Sequence, residues 1–305
     1  MQFNFYEAFK NLYRLIIFLF YFLIELYEYY ALLGLYCLEI KDFDGWSAFV
    51  SIFFYQNMTL FKIIYYIQTI NSSSINTTNL FPHISHIKRK IPKSINYFIK
   101  NDLINSTSRN VKTCDICMTI KPPRAHHCKI CEKCFLKYDH HCIFLKSCIG
   151  YYNYKYFYQL ITLDTFQTIF FIILISLQLK LNIDVGIYSS LIVSLSISSL
   201  KLIILICLSF FHTILISRNE TTVEWMALNS YLQNKHEFSK IFQEGPISEL
   251  SDSKNRKILN PYNLNIKNNW IQVFGNNVFE WISPTQTTEI NGISFPKNYR
   301  SYDDI

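Results

Sequence analysis

Apolar positions run almost unbroken through four stretches of the chain, near Leu15–Leu38, Trp46–Ile70, Tyr156–Leu179 and Ile187–Ile216. A helix needs about 20 mostly apolar residues to cross a bilayer, and helices in soluble cores seldom stay apolar for so long. The pattern predicts an all-α polytopic membrane protein with two helix hairpins. A polar segment separates the hairpins and a polar tail comes after the second. The predicted divisions are 1–70 (transmembrane helices 1 and 2), 71–154 (a loop domain with its core at 112–154), 155–216 (transmembrane helices 3 and 4) and 217–305 (tail). The first run is the weakest, because Glu25 and Glu28 fall inside it.

Composition narrows the class. Of 305 residues, 50% are hydrophobic and only 17% are charged, below the quarter usual for soluble domains. With 7 Gly, 8 Pro, 26 Phe and 22 Tyr, the chain is neither collagen-like nor intrinsically disordered. The net charge of +7 is uneven. Residues 71–154 hold 13 Lys or Arg against 4 Asp or Glu, whereas the tail after Ile216 holds 9 basic and 10 acidic residues. The positive-inside rule places the basic segment in the cytosol. An even number of spans on each side then brings both termini there. Lys10 and Arg14 precede an apolar run too long for a cleavable signal, so the first run reads as a retained helix. The Asn-x-Ser/Thr triplets at Asn71, Asn76, Asn105 and Asn219 fall on the cytosolic side and read as chance. Lys88, Arg89, Lys90 and Lys93 form a basic run next to the membrane.

Five charges lie inside the apolar runs: Glu25, Glu28, Lys62, Asp164 and Lys201. Such groups are costly in lipid and pair with one another or face a cavity. Their depths along the helices predict contacts of Glu25 and Glu28 with Lys62, and of Asp164 with Lys201.

Chemistry concentrates in the basic segment. Seven of the nine cysteines and four histidines fall in the 35 residues from Cys114 to Cys148, as Cys114-x2-Cys117, His126-His127-Cys128-x2-Cys131-x2-Cys134, Asp139-His140-His141-Cys142 and Cys148. A cytosolic setting disfavours disulfides. Cys-x2-Cys pairs suit zinc, since a short turn brings two thiolates to one tetrahedral ion. Two closed sites need eight of these eleven groups, and two Cys3His sites use six cysteines. Cys142 is the natural one to remain free: Asp139 and His140 lie within a turn of it. A thiolate is a nucleophile, a neighbouring His can take its proton, and a carboxylate can hold that His in the useful tautomer.

These residues resemble the DHHC-type protein S-acyltransferases (palmitoyltransferases). The resemblance runs over Cys114–Asn153, including Lys121-Pro122-Pro123-Arg124-Ala125-His126-His127-Cys128, Gly150 and Asn153. Thr221-Thr222-Val223-Glu224 is similar to the family's TTxE motif, and Asn260-Pro261-Tyr262 leading to Asn269 through Gly275 is similar to its Asn…Val-Phe-Gly element. The resemblance implies a zinc-binding, cysteine-rich cytosolic domain between helices 2 and 3. One zinc would be held by Cys114, Cys117, His127 and Cys134, the other by Cys128, Cys131, His141 and Cys148. Both sites are closed, so the ions would be structural. Cys142 would be the acylated nucleophile, His140 its base and Asp139 the group that orients the base. Thr221, Thr222, Glu224 and Asn269 would be structural supports. The chain departs from the family after the nucleophile, with Ile143-Phe144 for Pro-Trp and Lys146-Ser147 ahead of Cys148.

The implied reaction moves a palmitoyl-type chain from a long-chain acyl-CoA to Cys142 and on to cysteines of substrate proteins at the cytosolic face. Arg124, Lys129 and Lys133 are the candidates for CoA phosphates. The expected setting is an endomembrane, Golgi or ER rather than plasma membrane. The rival reading is a zinc-domain membrane scaffold without turnover. A RING-type ligase would need a closing Cys-x2-Cys pair, which Cys142 and Cys148 do not form. Nucleic-acid binding would need a recognition helix, for which there is no Cys2His2 finger.

Overall fold

The computed structural model describes residues 5–33, 45–72, 75–81, 113–178, 185–233, 260–286 and 291–298. The basic run at 88–93 lies outside them. The chain divides into two compact units.

The first unit comprises residues 1–68, 142–147 and 156–211. Four long helices contribute to it: α1 (Phe5–Tyr30), α2 (Gly45–Ser72), α4 (Tyr154–Gln178) and α5 (Val185–Arg218). Among the described residues, three stretches are long and apolar enough to cross a membrane: Gly45–Ser72, Tyr154–Leu177 and Tyr188–Arg218. α1 is 26 residues long and carries Glu7, Lys10, Arg14, Glu25 and Glu28. Its outer surface is apolar all the same, with Ile16, Leu19, Phe20, Phe22, Leu23 and Leu26 all exposed. Apolar exposure on that scale marks a surface meant for lipid or protein rather than water. The inner faces pack Ala31, Leu32, Tyr55, Phe171, Ile175 and Leu191 into one core.

The five charges of the apolar runs meet inside this unit. Lys62 pairs with Glu25 and, at 2.9 Å, with Asp164. Lys201 pairs with Glu25, with Glu28 at 2.9 Å and with Asp164 at 3.1 Å. Ser198 donates to Glu28 at 2.8 Å. The sequence pairing is therefore right for Glu25 with Lys62 and for Asp164 with Lys201, but Glu28 turns to Lys201. Depth along a helix does not say which face a residue occupies; the four helices wrap all five groups into one network.

The second unit comprises residues 69–141, 148–155 and 212–305. It holds the short helices α3 (Thr77–Leu80), α6 (Thr222–Leu232), α7 (Ile266–Phe274) and α8 (Val278–Ile282). All-α is not the whole description, because the cysteine-rich segment forms three small antiparallel pairs. They are β1 (Thr113–Cys114) with β2 (Thr119–Ile120), β3 (His126–Cys128) with β4 (Lys133–Phe135), and β5 (His140–Cys142) with β6 (Ser147–Ile149). Strands of two or three residues are too short to show an alternating pattern in sequence.

The three hairpins are one unit repeated at a spacing of 14. Thr113 pairs with Ile120 and Cys114 with Thr119, while His127 pairs with Cys134 and Cys128 with Lys133. The registers superpose on adding 14 to each number, and β5 and β6 occupy the strand positions of β3 and β4 shifted by 14 again. Each turn closes on a left-handed residue at the same place: Met118 (φ 50°), Glu132 (φ 54°) and Lys146 (φ 49°). The third hairpin leads to Gly150, where a Cβ would stand 2.7 Å from the Leu136 carbonyl oxygen. Only glycine fits there, because Leu136 also accepts the Tyr151 amide at 2.8 Å.

Candidate active site and metal centres

Each cysteine pair sits on a hairpin turn whose backbone already favours thiolates. The Cys117 amide donates to Cys114 Sγ at 3.4 Å and the Cys131 amide to Cys128 Sγ at 3.5 Å. In the first cluster, His127 Nδ1 lies 3.6 Å from Cys114 Sγ, 3.2 Å from Cys117 Sγ and 3.7 Å from Cys134 Sγ. In the second, His141 Nδ1 lies 3.8 Å from Cys128 Sγ, 3.3 Å from Cys131 Sγ and 3.5 Å from Cys148 Sγ, with Cys148 Sγ 3.4 Å from Cys131 Sγ. A tetrahedron with Zn–S near 2.3 Å and Zn–N near 2.0 Å has edges of about 3.5–3.8 Å. Both Cys3His clusters fit a zinc ion on that measure.

The repeat explains the assignment of donors. Each cluster takes two thiolates from one hairpin's turn, and a His and a Cys from the strands of the next. Three copies in series therefore make two complete sites. The turn of the third copy has no successor. It carries Cys142 where the others have Cys114 and Cys128, and Leu145 where they have Cys117 and Cys131. Cys142 is thus a ligand position with no site to serve.

Asp139 is fully buried and densely bonded. Its Oδ2 lies 2.6 Å from His140 Nδ1 and accepts the Thr222 hydroxyl at 2.7 Å, while its Oδ1 accepts the Thr222 amide at 2.7 Å. Burial pushes its pKa up, but the contacts with His140, His212 and Thr222 outweigh that and hold it at about 2. The carboxylate is therefore ionised at neutral pH, with His140 Nδ1 fixed against it. The His140 side chain remains 28% exposed. His140 and Cys142 are two positions apart in β5. Cys142 itself is buried.

A second histidine, which sequence reasoning missed, joins this group. His212 is buried, its Nδ1 is 3.0 Å from Tyr154 Oη, and its ring centroid is 5.9 Å from that of His140. Asp139, His140 and His212 gather closely enough to suggest a metal. The 2.6 Å contact of Asp139 with His140 is a hydrogen bond, shorter than a ligand–ligand edge on zinc. Asp139 and His140 are better read as a hydrogen-bonded pair, with the ring of His212 beside His140.

The start of α6 explains the supports. Thr221 caps it by accepting the Glu224 amide at 3.2 Å, and Glu224 accepts the Thr221 amide at 2.9 Å, a reciprocal capping box. The amide of Thr222 is then directed at Asp139, where a helix N-terminus favours a carboxylate. Glu224 also takes a two-pronged contact from Arg124, Nε to Oε1 and Nη2 to Oε2, both at 2.7 Å. Arg124 adds 3.0 Å and 2.9 Å bonds to Asn219 Oδ1 and the Asn219 carbonyl, and its guanidinium lies over the rings of Tyr262 and Phe295. This corrects Arg124 as a CoA candidate, since it is buried and every arm is committed. Lys129 and Lys133 are exposed. Asn269 Nδ2 donates to the Ser217 carbonyl at 2.8 Å and its Oδ1 accepts the Leu264 amide at 3.1 Å, tying the end of α5 to the chain ahead of α7.

Membrane-length apolar helices together with two Cys3His clusters compatible with zinc mark a membrane-associated protein with a metal-binding domain. Residues 107–229 match the family model described as DHHC palmitoyltransferase. The chain is 29% identical over 213 residues to "Probable protein S-acyltransferase 5" of Arabidopsis thaliana, covering 67% of this chain and 38% of that protein. It is 30% identical over 219 residues to "Palmitoyltransferase PFA3" of Debaryomyces hansenii, covering 66% and 52%. It is 31% identical over 199 residues to "Palmitoyltransferase ZDHHC15" of Rattus norvegicus, covering 61% and 50%. The chain thus spans about half the length of the curated relatives it matches, or less. Over residues 107–229 the chain is similar to the DHHC palmitoyltransferases, in agreement with the resemblance read from its motifs.

Proposed function

We propose that the chain is a protein-cysteine S-palmitoyltransferase. It would have four membrane-spanning helices, α1 included, and a cytosolic zinc domain between the second and third. The observation that carries the reading is the spare ligand position: Cys142 stands outside both Cys3His clusters, two residues along a strand from a histidine whose other face is fixed by a buried, ionised carboxylate.

The reaction has two steps. The Cys142 thiol gives its proton to His140, and the thiolate attacks the thioester carbonyl of a long-chain acyl-CoA. The acyl–sulfur bond to CoA breaks, and the CoA thiolate leaves with the proton returned by His140. A cysteine thiol of a substrate protein then loses its proton to His140 and attacks the Cys142 thioester, so that Cys142 leaves as the thiol. Asp139, held by Thr222, keeps His140 in one tautomer and stabilises it when protonated. The zinc ions would hold the hairpins that present these groups. The acyl chain would lie in a cavity of about 430 Å³ in the helical unit, lined by residues from Tyr21 to Tyr29 of α1, Tyr55 to Tyr66 of α2, and Leu160. Burying it there is worth roughly 0.8 kcal/mol per methylene. The exposed Lys129 and Lys133 remain for the CoA phosphates.

The test is self-acylation of the purified protein in detergent with labelled palmitoyl-CoA, beside Cys142→Ser. Label released by hydroxylamine and absent from a zinc-loaded Cys142→Ser supports the thioester. A folded, zinc-loaded wild type that takes no label would favour the scaffold.

A further inference from the structure

We propose that Tyr21 is a positioning residue for this acyl transfer: its ring seats the hairpin tip that comes after Cys142, and the intramembrane ion network holds the ring in place. The inference rests on the acyltransferase reading above.

The helical unit includes residues 142–147, the tip of the third hairpin. Phe144, two residues from Cys142, meets Tyr21 edge-on, with ring centroids 6.4 Å apart and planes at 63°. The Tyr21 hydroxyl donates to Asp164 Oδ2 at 2.7 Å, and Lys201 Nζ lies 5.9 Å from the Tyr21 ring centroid. The other oxygen of Asp164 takes Lys62 at 2.9 Å and Lys201 at 3.1 Å. The ring is therefore fixed from both ends, by a buried carboxylate at its hydroxyl and by its helix at Cβ. A buried network fully satisfied in this way rigidifies what it touches.

The tip needs such a seat. Ile143 comes directly after Cys142, so no proline restrains the backbone there, and Phe144 is half exposed. Its contact with Tyr21 is what orients the thiol-bearing turn. Tyr21 also lines the cavity, with Glu25, Tyr55, Lys62 and Leu160. One ring thus serves as the seat of the hairpin and as a wall for the acyl chain, which must enter beside it. Charge pairing in the bundle is in this way converted into a set distance between the nucleophile and the chain it receives.

The experiment is acyl transfer from palmitoyl-CoA by the full chain in detergent, with zinc content and thermal unfolding recorded for each variant. Tyr21→Leu and Phe144→Leu are each expected to lower kcat about tenfold, the scale of one lost aromatic contact. For Phe144→Leu the KM for palmitoyl-CoA should stay near wild type. The double variant should be no worse than the poorer single one, because both remove the same contact. Tyr21→Phe leaves Asp164 with its two ammonium partners, so the fold survives while the clamp is lost; a fall of about threefold is expected. Phe144→Trp should keep wild-type turnover. Independent losses that multiply in the double variant would overturn the proposal. So would wild-type kcat in Tyr21→Leu, or a loss explained wholly by reduced folded protein. A wild type that takes no label from any acyl-CoA overturns the acyltransferase reading itself, an outcome distinct from an active wild type that is indifferent to Tyr21.

Discussion

The first two hairpins and the third share strand positions and turn conformation, yet they have different work. In the first two, the turn presents a pair of thiolates and the next copy completes the tetrahedron. In the third, the pair is reduced to Cys142 and Leu145, and the chain goes on into α4 instead of a fourth copy. A thiol shaped by a metal-binding turn is left without a metal. Freed from coordination, it is open to chemistry, and the residues around it are arranged for proton transfer. The proposed nucleophile is best understood as the unpaired end of a series of Cys/His hairpins.

The anchors of the three hairpins differ in a similar way. The positions 125, 139 and 153 are equivalent in the repeat, and they hold Ala125, Asp139 and Asn153, all buried. Asp139 fixes His140. Asn153 accepts the Gly150 amide at 2.8 Å and donates to the carbonyls of Thr69 at 2.9 Å and Cys148 at 2.8 Å. The first copy is anchored one residue earlier, by Arg124.

Much of this was legible from the residues. The apolar runs located α2, α4 and α5 to within a few residues, while α1 begins ten residues ahead of the run that predicted it, and ligand counting left Cys142 over. The repeat itself was legible too, in the numbers 114, 128 and 142, but a spacing of 14 is shorter than the periods of stacked-repeat folds and is easily passed over. Arg124 was misread because a basic loop suggests phosphate contacts. The better signal was Glu224, an acid next to an apolar helix that needed a cation. His212 gave no signal at all: a single histidine inside an apolar run looks like packing until Asp139 and His140 are placed beside it.

The largest effect expected is loss of a turn cysteine that has a site to serve. Cys117→Ala or Cys131→Ala should release one zinc per chain and unfold the cysteine-rich segment, since binding free energy at structural zinc is folding free energy, of order 10 kcal/mol. Metal analysis and limited proteolysis would show it. Cys142→Ser, at the first turn-cysteine position of the third copy, should keep both ions. A variant at Cys117 that stays folded without zinc would break the comparison.

Next is the anchor of the first copy. Arg124→Leu leaves Glu224 buried and uncompensated, which should cost about 3–5 kcal/mol. Arg124→Leu with Glu224→Leu should recover much of it, measured by thermal unfolding. Asn153→Ala removes bonds to three backbone groups and should cost about 1–3 kcal/mol. Turnover per folded molecule should change little for Asn153→Ala, since Asn153 touches none of the reacting groups; a tenfold loss without a stability change would show the third copy's anchor to be part of the chemistry.

The smallest effect expected comes from restoring the missing cysteine. Leu145→Cys would give the third turn the same Cys-x2-Cys pair as the first two, with the left-handed Lys146 already in place. If a turn pair alone determined binding, the variant would take a third zinc. The repeat argues otherwise, because the position equivalent to His127 and His141 in a next copy is Lys155, which lies in α4. Two thiolates without the second half of a site leave zinc half coordinated and poorly held. The variant should therefore keep two zinc ions per chain and lose about 1 kcal/mol from trimming the buried Leu145. A tightly bound third ion, retained through gel filtration against a weak chelator, would mean that the turn is sufficient and that the absence of a fourth copy is not what freed Cys142.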